Sequence, residues 1–155
     1  MNKLTNLVTV KAKLLFLLPV FLIIQNEWHY NLEQAKKIAQ KEHKFILLNF
    51  SGSDWCGPCI RMKKEIFDSE IFKSMADTDL VLVNADFPRN KKNQLPASQQ
   101  KINDEMADKY NNQGKFPYTL LLDPNGRVLQ AWDGFPNESP EAFTMDVRNV
   151  MYTNR

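Results

Sequence analysis

A chain of 155 residues suits one compact domain, and 43% hydrophobic residues supply enough core to exclude intrinsic disorder. The formal charge of +2 is unevenly placed: Lys3, Lys11 and Lys13 are the only charged residues before Glu27, and without them 17 basic residues stand against 18 acidic ones. A body so near neutral excludes the broad basic surface of a nucleic-acid binder.

The three lysines flank or precede an apolar run, residues 14–24, of 11 uncharged residues broken by Pro19. A spanning helix takes about 20 residues and a signal-peptide core about 7–15. Residues 1–25 are therefore expected to be a signal peptide or an N-terminal membrane anchor, with the folded domain over 27–155. No Ala, Gly or Ser lies between Phe16 and Gln34, so the small-residue cleavage pattern is missing, and both fates stay open.

Residues 31–42 predict a helix: Asn31 can cap it with Gln34 three residues on, and Leu32, Ala35 and Ala39 share a face. The apolar run 45–50, FILLNF, suits a strand buried on both sides, as in a parallel sheet. The segment SDWCGPC follows, and a helix is expected over about 57–67. Ser69 predicts a new cap, with Ile71, Phe72 and Met75 on the inner face, before a second buried strand, LVLVNA, at 80–85.

Residues 87–101 hold two prolines and the cations Arg89, Lys91, Lys92 and Lys101, and read as a protruding loop or insertion. A helix resumes from Ser98, with Ile102, Met106 and Tyr110 four apart. Strands at 118–122 and 127–132 flank Asp-Pro-Asn-Gly, a hairpin turn. Ser139-Pro140 starts a last helix, with Phe143, Val147 and Val150 inward. Two parallel strands joined by a helical crossover, plus a terminal hairpin, give an α/β mixed central sheet with helices on both faces.

Cys56 and Cys59 are the only cysteines, and three uses compete for them. A structural zinc site needs four ligands, and the only histidines, His29 and His43, lie 14 apart and upstream. A structural disulfide closing so small a loop removes little chain entropy. A redox dithiol fits the position better. Cys56 falls at a helix N-terminus, where free N–H groups favour an anion and make a thiolate available. Cys59, one turn later, can resolve a mixed disulfide. Gly57 lets backbone approach closely, and Pro58 fits the first helical turn.

The sequence WCGPC at 55–59, after a buried strand and before the Phe116-Pro117 pair, resembles the thioredoxin family from about residue 30 to the C-terminus. NFSGSDWCGPC and NADFPRNKK resemble its exported bacterial members. The resemblance implies a thioredoxin fold in which Cys56 attacks, Cys59 resolves and Pro117 is cis. Trp55, Gly57, Pro58, Phe116 and Pro117 would then form the substrate-binding surface. It further implies a protein-disulfide reductase, periplasmic or membrane-anchored facing the periplasm, without cofactor or metal. Its partners would be disulfide-bearing proteins and a membrane-bound electron-donor protein, with no nucleic acid, and it would act as a monomer. The rival readings are a disulfide oxidase or isomerase, and a non-catalytic thioredoxin-like adaptor or chaperone.

Two departures from the family stand out. Its buried aspartate and lysine on adjacent strands are aligned here with Asn49 and Leu82, so Asn49 is expected beneath the thiols in a supporting role. The residue after the cis-proline, usually threonine, is Tyr118.

Overall fold

The computed structural model describes residues 27–155; the expected signal peptide or anchor over 1–25 lies outside them. Among the described residues no helix is long and apolar enough to cross a membrane.

The first helix, α1, spans Leu32–Glu42, and Asn31 caps it by accepting the Gln34 amide. His43 turns the chain in the left-handed region and feeds β1, Phe45–Ser51, whose seven residues are all buried. Burial on both faces explains why its sequence runs apolar instead of alternating. Helix α2, Gly57–Arg61, continues without a break into a π-helical segment, Met62–Phe67. There the Asp68 amide bonds the Lys63 carbonyl, five residues back, and Met62, Ile66 and Phe67 all enter the core. Helix α3, Glu70–Asp79, capped by Ser69, crosses over to β2, Leu80–Asp86.

Helix α4 covers Ala97–Tyr110, β3 Tyr118–Leu122, β4 Val128–Asp133 and α5 Pro140–Thr153. The sheet order is β2-β1-β3-β4, with β1 and β2 parallel and the other pairs antiparallel. His29 adds a single parallel bridge outside β2. The expected hairpin turn is present: Asp123 accepts the Asn125 and Arg127 amides, and Gly126 takes the positive φ of 88° that the turn requires.

Alternation along β1 and β2 divides the core in two. Phe45, Leu47 and Leu82 face the π-helical segment, α3 and α5, with Phe67, Phe72 and Phe143 packed together. Ile46, Leu48, Phe50 and Val83 face α1 and α4. This is the mixed sheet with helices on both faces that the sequence predicts.

Three details differ from expectation. In α5 the inward residues are Phe143, Thr144, Val147 and Met151, and Val150 packs only at the margin, because the fourfold stripe continues from 147 to 151. The loop after β2 ends at Pro96, so Lys101 lies on α4, where it pairs with Glu105. Third, the register pairs Leu82 with Leu47 and sets Asn84 opposite Asn49. Leu82 is therefore not the neighbour of Asn49. The two candidates lie on the same face, two residues apart, and only strand pairing tells them apart.

Candidate active site

The fold places Cys56 and Cys59 where β1 gives way to α2. They form a disulfide with Cα atoms 5.2 Å apart, and each cysteine is 5% exposed. Cys56 is the N-cap of α2, and the Cys59 amide donates to its Sγ at 3.2 Å. Gly57 and Pro58 are exposed beside the pair. Pro58 sits in the first turn, where its missing N–H leaves no bond unmade.

Trp55 is half-buried and built into the loop before the cysteines. Its Nε1–H donates to the Phe87 carbonyl at 2.7 Å, and its ring meets Phe116 edge-on at 5.4 Å. Phe116 also packs on Phe87, and the Phe116–Pro117 peptide bond is cis. Phe116 is half-buried and Pro117 buried. The structure thus brings Trp55 and Phe116 together from segments 61 residues apart. Gly52 makes this possible: a Cβ there would lie 2.3 Å from Trp55 Cε2, so the indole rests directly on bare backbone.

Residues 87–96 form a wall of this site instead of protruding from it. The Asp54 carboxylate accepts the Arg89 and Asn90 amides at 2.9 Å each and Asn93 Nδ2 at 3.0 Å. Those N–H groups, the Arg89 amide foremost, hold its carboxyl below the ordinary aspartate value. In return Asp86 accepts the Ser53 amide and hydroxyl, and the Phe87 amide bonds the Ser51 carbonyl. The Arg89 guanidinium lies over the Trp55 ring, 3.6 Å from its centroid.

Asn49, in the C-terminal half of β1, is 6% exposed. Its Nδ2 donates to Asn84 Oδ1 at 3.0 Å, and its Oδ1 accepts the Thr119 hydroxyl at 3.0 Å. Ser51 Oγ lies 3.1 Å from Asn84 Oδ1 and 3.0 Å from Asp86 Oδ1; its single proton serves one of them at a time. Asn49, Ser51, Asn84 and Asp86 share with Cys59 a cavity of about 540 Å³. Asn49 and Cys59 therefore line the same cavity.

Sequence reasoning missed Gly52, Asp54, Phe87 and the Asn84–Ser51–Asp86 chain. Only the SGSD run before the cysteines hinted at them, since small and hydrogen-bonding residues there allow close approach and looping. Among the described residues no three His, Cys, Asp or Glu side chains group to hold a metal. Arranged this way, two sulfurs at a helix start, beside an aromatic wall and with Cys59 lining a cavity, can exchange disulfide for dithiol.

The model of the thioredoxin-like domain family matches residues 32–146. The disulfide bond reductase DsbH of Chlamydia pneumoniae is 36% identical over 118 residues, which are 76% of this chain and 69% of that protein. The thioredoxin-related protein DsbJ of the same organism is 27% identical over 112 residues, 72% of this chain but 31% of that protein. A solved structure of a DsbH oxidoreductase superposes with a TM-score of 0.74 at 32% identity, covering 81% of this chain and 84% of that one. A thioredoxin from Thermus thermophilus shares the fold, at a TM-score of 0.61 and 16% identity over 83% of this chain and 88% of its own.

Proposed function

The chain belongs to the thioredoxin-like domain family and is a thiol–disulfide oxidoreductase, and from that premise we propose that it reduces protein disulfides outside the cytoplasm. The observation that carries the roles is the Cys59 amide aimed at Cys56 Sγ. In the reduced protein that N–H, at the start of a helical stretch running to Phe67, stabilises a thiolate on Cys56.

Cys56 attacks one sulfur of a client disulfide, forming a mixed disulfide and expelling the first client thiolate. Cys59 attacks Cys56 Sγ, expelling the second, and its proton passes through solvent to a departing client thiolate. Two electrons pass to the client, and the enzyme is left as the Cys56–Cys59 disulfide. Trp55 and Phe116 wall the approach, Gly57 and Pro58 leave it open, and the Phe116 main chain beside Pro117 aligns an extended client. Asn49, hydrogen-bonded to Asn84 and Thr119, lines the cavity beside Cys59 with a side chain that does not titrate.

The reducing direction is supported by the Cys-Gly-Pro-Cys pair, a type at the low-potential end of the scale, and by similarity to a protein named a disulfide bond reductase. Export is supported by the basic, apolar start of the chain. A reductase outside the cytoplasm needs recharging, so its donor is a membrane-borne dithiol protein.

The test combines insulin reduction with dithiothreitol as donor, a redox titration against glutathione, and two variants. Catalysis, and a potential well below that of the glutathione couple, are expected. Cys56→Ser should abolish turnover, whereas Cys59→Ser should accumulate mixed disulfides with clients. Trapping by Cys56→Ser alone would reverse the roles, and a strongly oxidising potential would reverse the direction.

A further inference from the structure

Three cations lie against aromatic rings around this site, and their side-chain donors are committed differently. Arg61 lies over Phe135 at 4.2 Å but gives Nε and Nη2 to Glu65. Lys115, 5.4 Å from the Tyr118 ring, pairs with Asp133 at 2.7 Å. Arg89, on Trp55, makes no ion pair and no side-chain hydrogen bond among the described residues, while Asp54 pins its main chain. The Asp54 carboxylate meets the two amides and Asn93 Nδ2. One face of the Arg89 guanidinium is therefore fixed on the indole, and its N–H edge remains unclaimed. A planar fork held in place with free donors matches a carboxylate. Lys91 and Lys92, exposed on the same loop, add positive field without competing for the stack.

We propose that Arg89 determines specificity by binding a carboxylate on the client chain near its disulfide cysteine, so that acidic client segments are preferred. This rests on the reading of the chain as a reductase of protein disulfides. Trp55 immediately precedes Cys56, so a client bonded to Cys56 Sγ crosses the surface that Arg89 caps. An extended client advances ~3.3 Å per residue, which puts a carboxylate within about three residues of its cysteine in reach. The electron balance is that of the reductase: each turnover converts the dithiol to the Cys56–Cys59 disulfide and releases two client thiols.

The experiment is a single-turnover assay. Full-length protein, reduced with dithiothreitol and desalted, is mixed with disulfide-linked dimers of one short peptide carrying Glu, Gln or Lys two positions from its cysteine. Acid quenching and mass spectrometry follow the rate. The wild type should reduce the Glu peptide about three- to tenfold faster than the Lys peptide at low salt, and the difference should shrink as salt is raised. A carboxylate also makes the peptide thiol a poorer leaving group, so each ratio is compared with that of Arg89→Gln, where the peptide-borne effect persists. Arg89→Gln should lower the Glu-to-Lys ratio and Arg89→Glu should invert the preference. An unchanged ratio in Arg89→Gln overturns the proposal while leaving the reductase reading intact. If no peptide is reduced although both thiols are free by titration, the reductase reading fails and this inference with it.

Discussion

Replacing Asn49 with aspartate tests the floor of the site most sharply. In the wild type Asn49 is 6% exposed, donates to Asn84 Oδ1 and accepts from Thr119. A protonated carboxyl reproduces both bonds, its O–H replacing the amide donor, so Asn49→Asp should differ from wild type by less than about 1 kcal/mol in acid. An ionised carboxyl has no donor to offer Asn84 Oδ1 and loses hydration, which raises its folded pKa. Fully buried groups shift by up to about 3–5 units, but the adjoining cavity of about 540 Å³ admits water, so a shift of ~2 units is the better expectation.

The folded protein then holds its proton after the unfolded chain has lost it. Stability relative to wild type is full below the unfolded value of about 3.9, falls as pH rises to the folded value near ~6, and is level above it. At ~1.36 kcal/mol per unit the total loss is about 2.7 kcal/mol. Urea unfolding of both proteins with the disulfide intact, from about pH 3.5 to 8, measures the gap directly, and the wild-type curve subtracts every other group. A gap that stays constant across this range would refute the placement of Asn49 in a poorly hydrated hydrogen-bonded site. In the reduced proteins, iodoacetamide labelling of Cys56 should show two coupled steps in the variant where wild type shows one.

Three further expectations follow from the packing. Gly52→Ala puts a Cβ 2.3 Å from Trp55 Cε2, so the indole must leave Phe87 and Arg89; insulin-reduction kcat/KM should fall about tenfold or more, with ~1–3 kcal/mol lost in urea unfolding, and an unchanged rate would remove Trp55 from the client surface. Asp54 has its carboxyl held low by N–H donors, so its hold on the loop is complete above the ordinary aspartate value of 3.8 and is lost only as pH falls through the lower folded value; amide exchange at Arg89 and Asn90 should stay slow well into acid, while Asp54→Ala should make it fast at neutral pH. Phe72→Ala empties a fully buried position between Phe67 and Phe143 and should cost about 3–5 kcal/mol in denaturant unfolding, with a loss below ~1 kcal/mol contradicting the packing described.

The order of helices and strands was legible because each element carries its own period: a nearly continuous apolar run for the buried β1, a fourfold stripe for α5, capping residues at Asn31, Ser69 and Ser139. The redox pair was legible because its chemistry needs two thiols one helical turn apart at a helix start, and that spacing is local. Register was not local. Leu82 and Asn84 share a face of β2, and which one stands beside Asn49 depends on how the α3 crossover seats one parallel strand against the other. Nor was the wall at 87–96, whose prolines and lysines read as a free loop, because what fixes it is the carboxylate of Asp54, 35 residues upstream of Arg89. Sequence periodicity reports which side of an element is apolar; it carries no term for a partner that arrives only when the chain has folded, and the Arg89–Trp55 stack and the Asn49–Asn84–Ser51–Asp86 hydrogen bonds are both made of such partners.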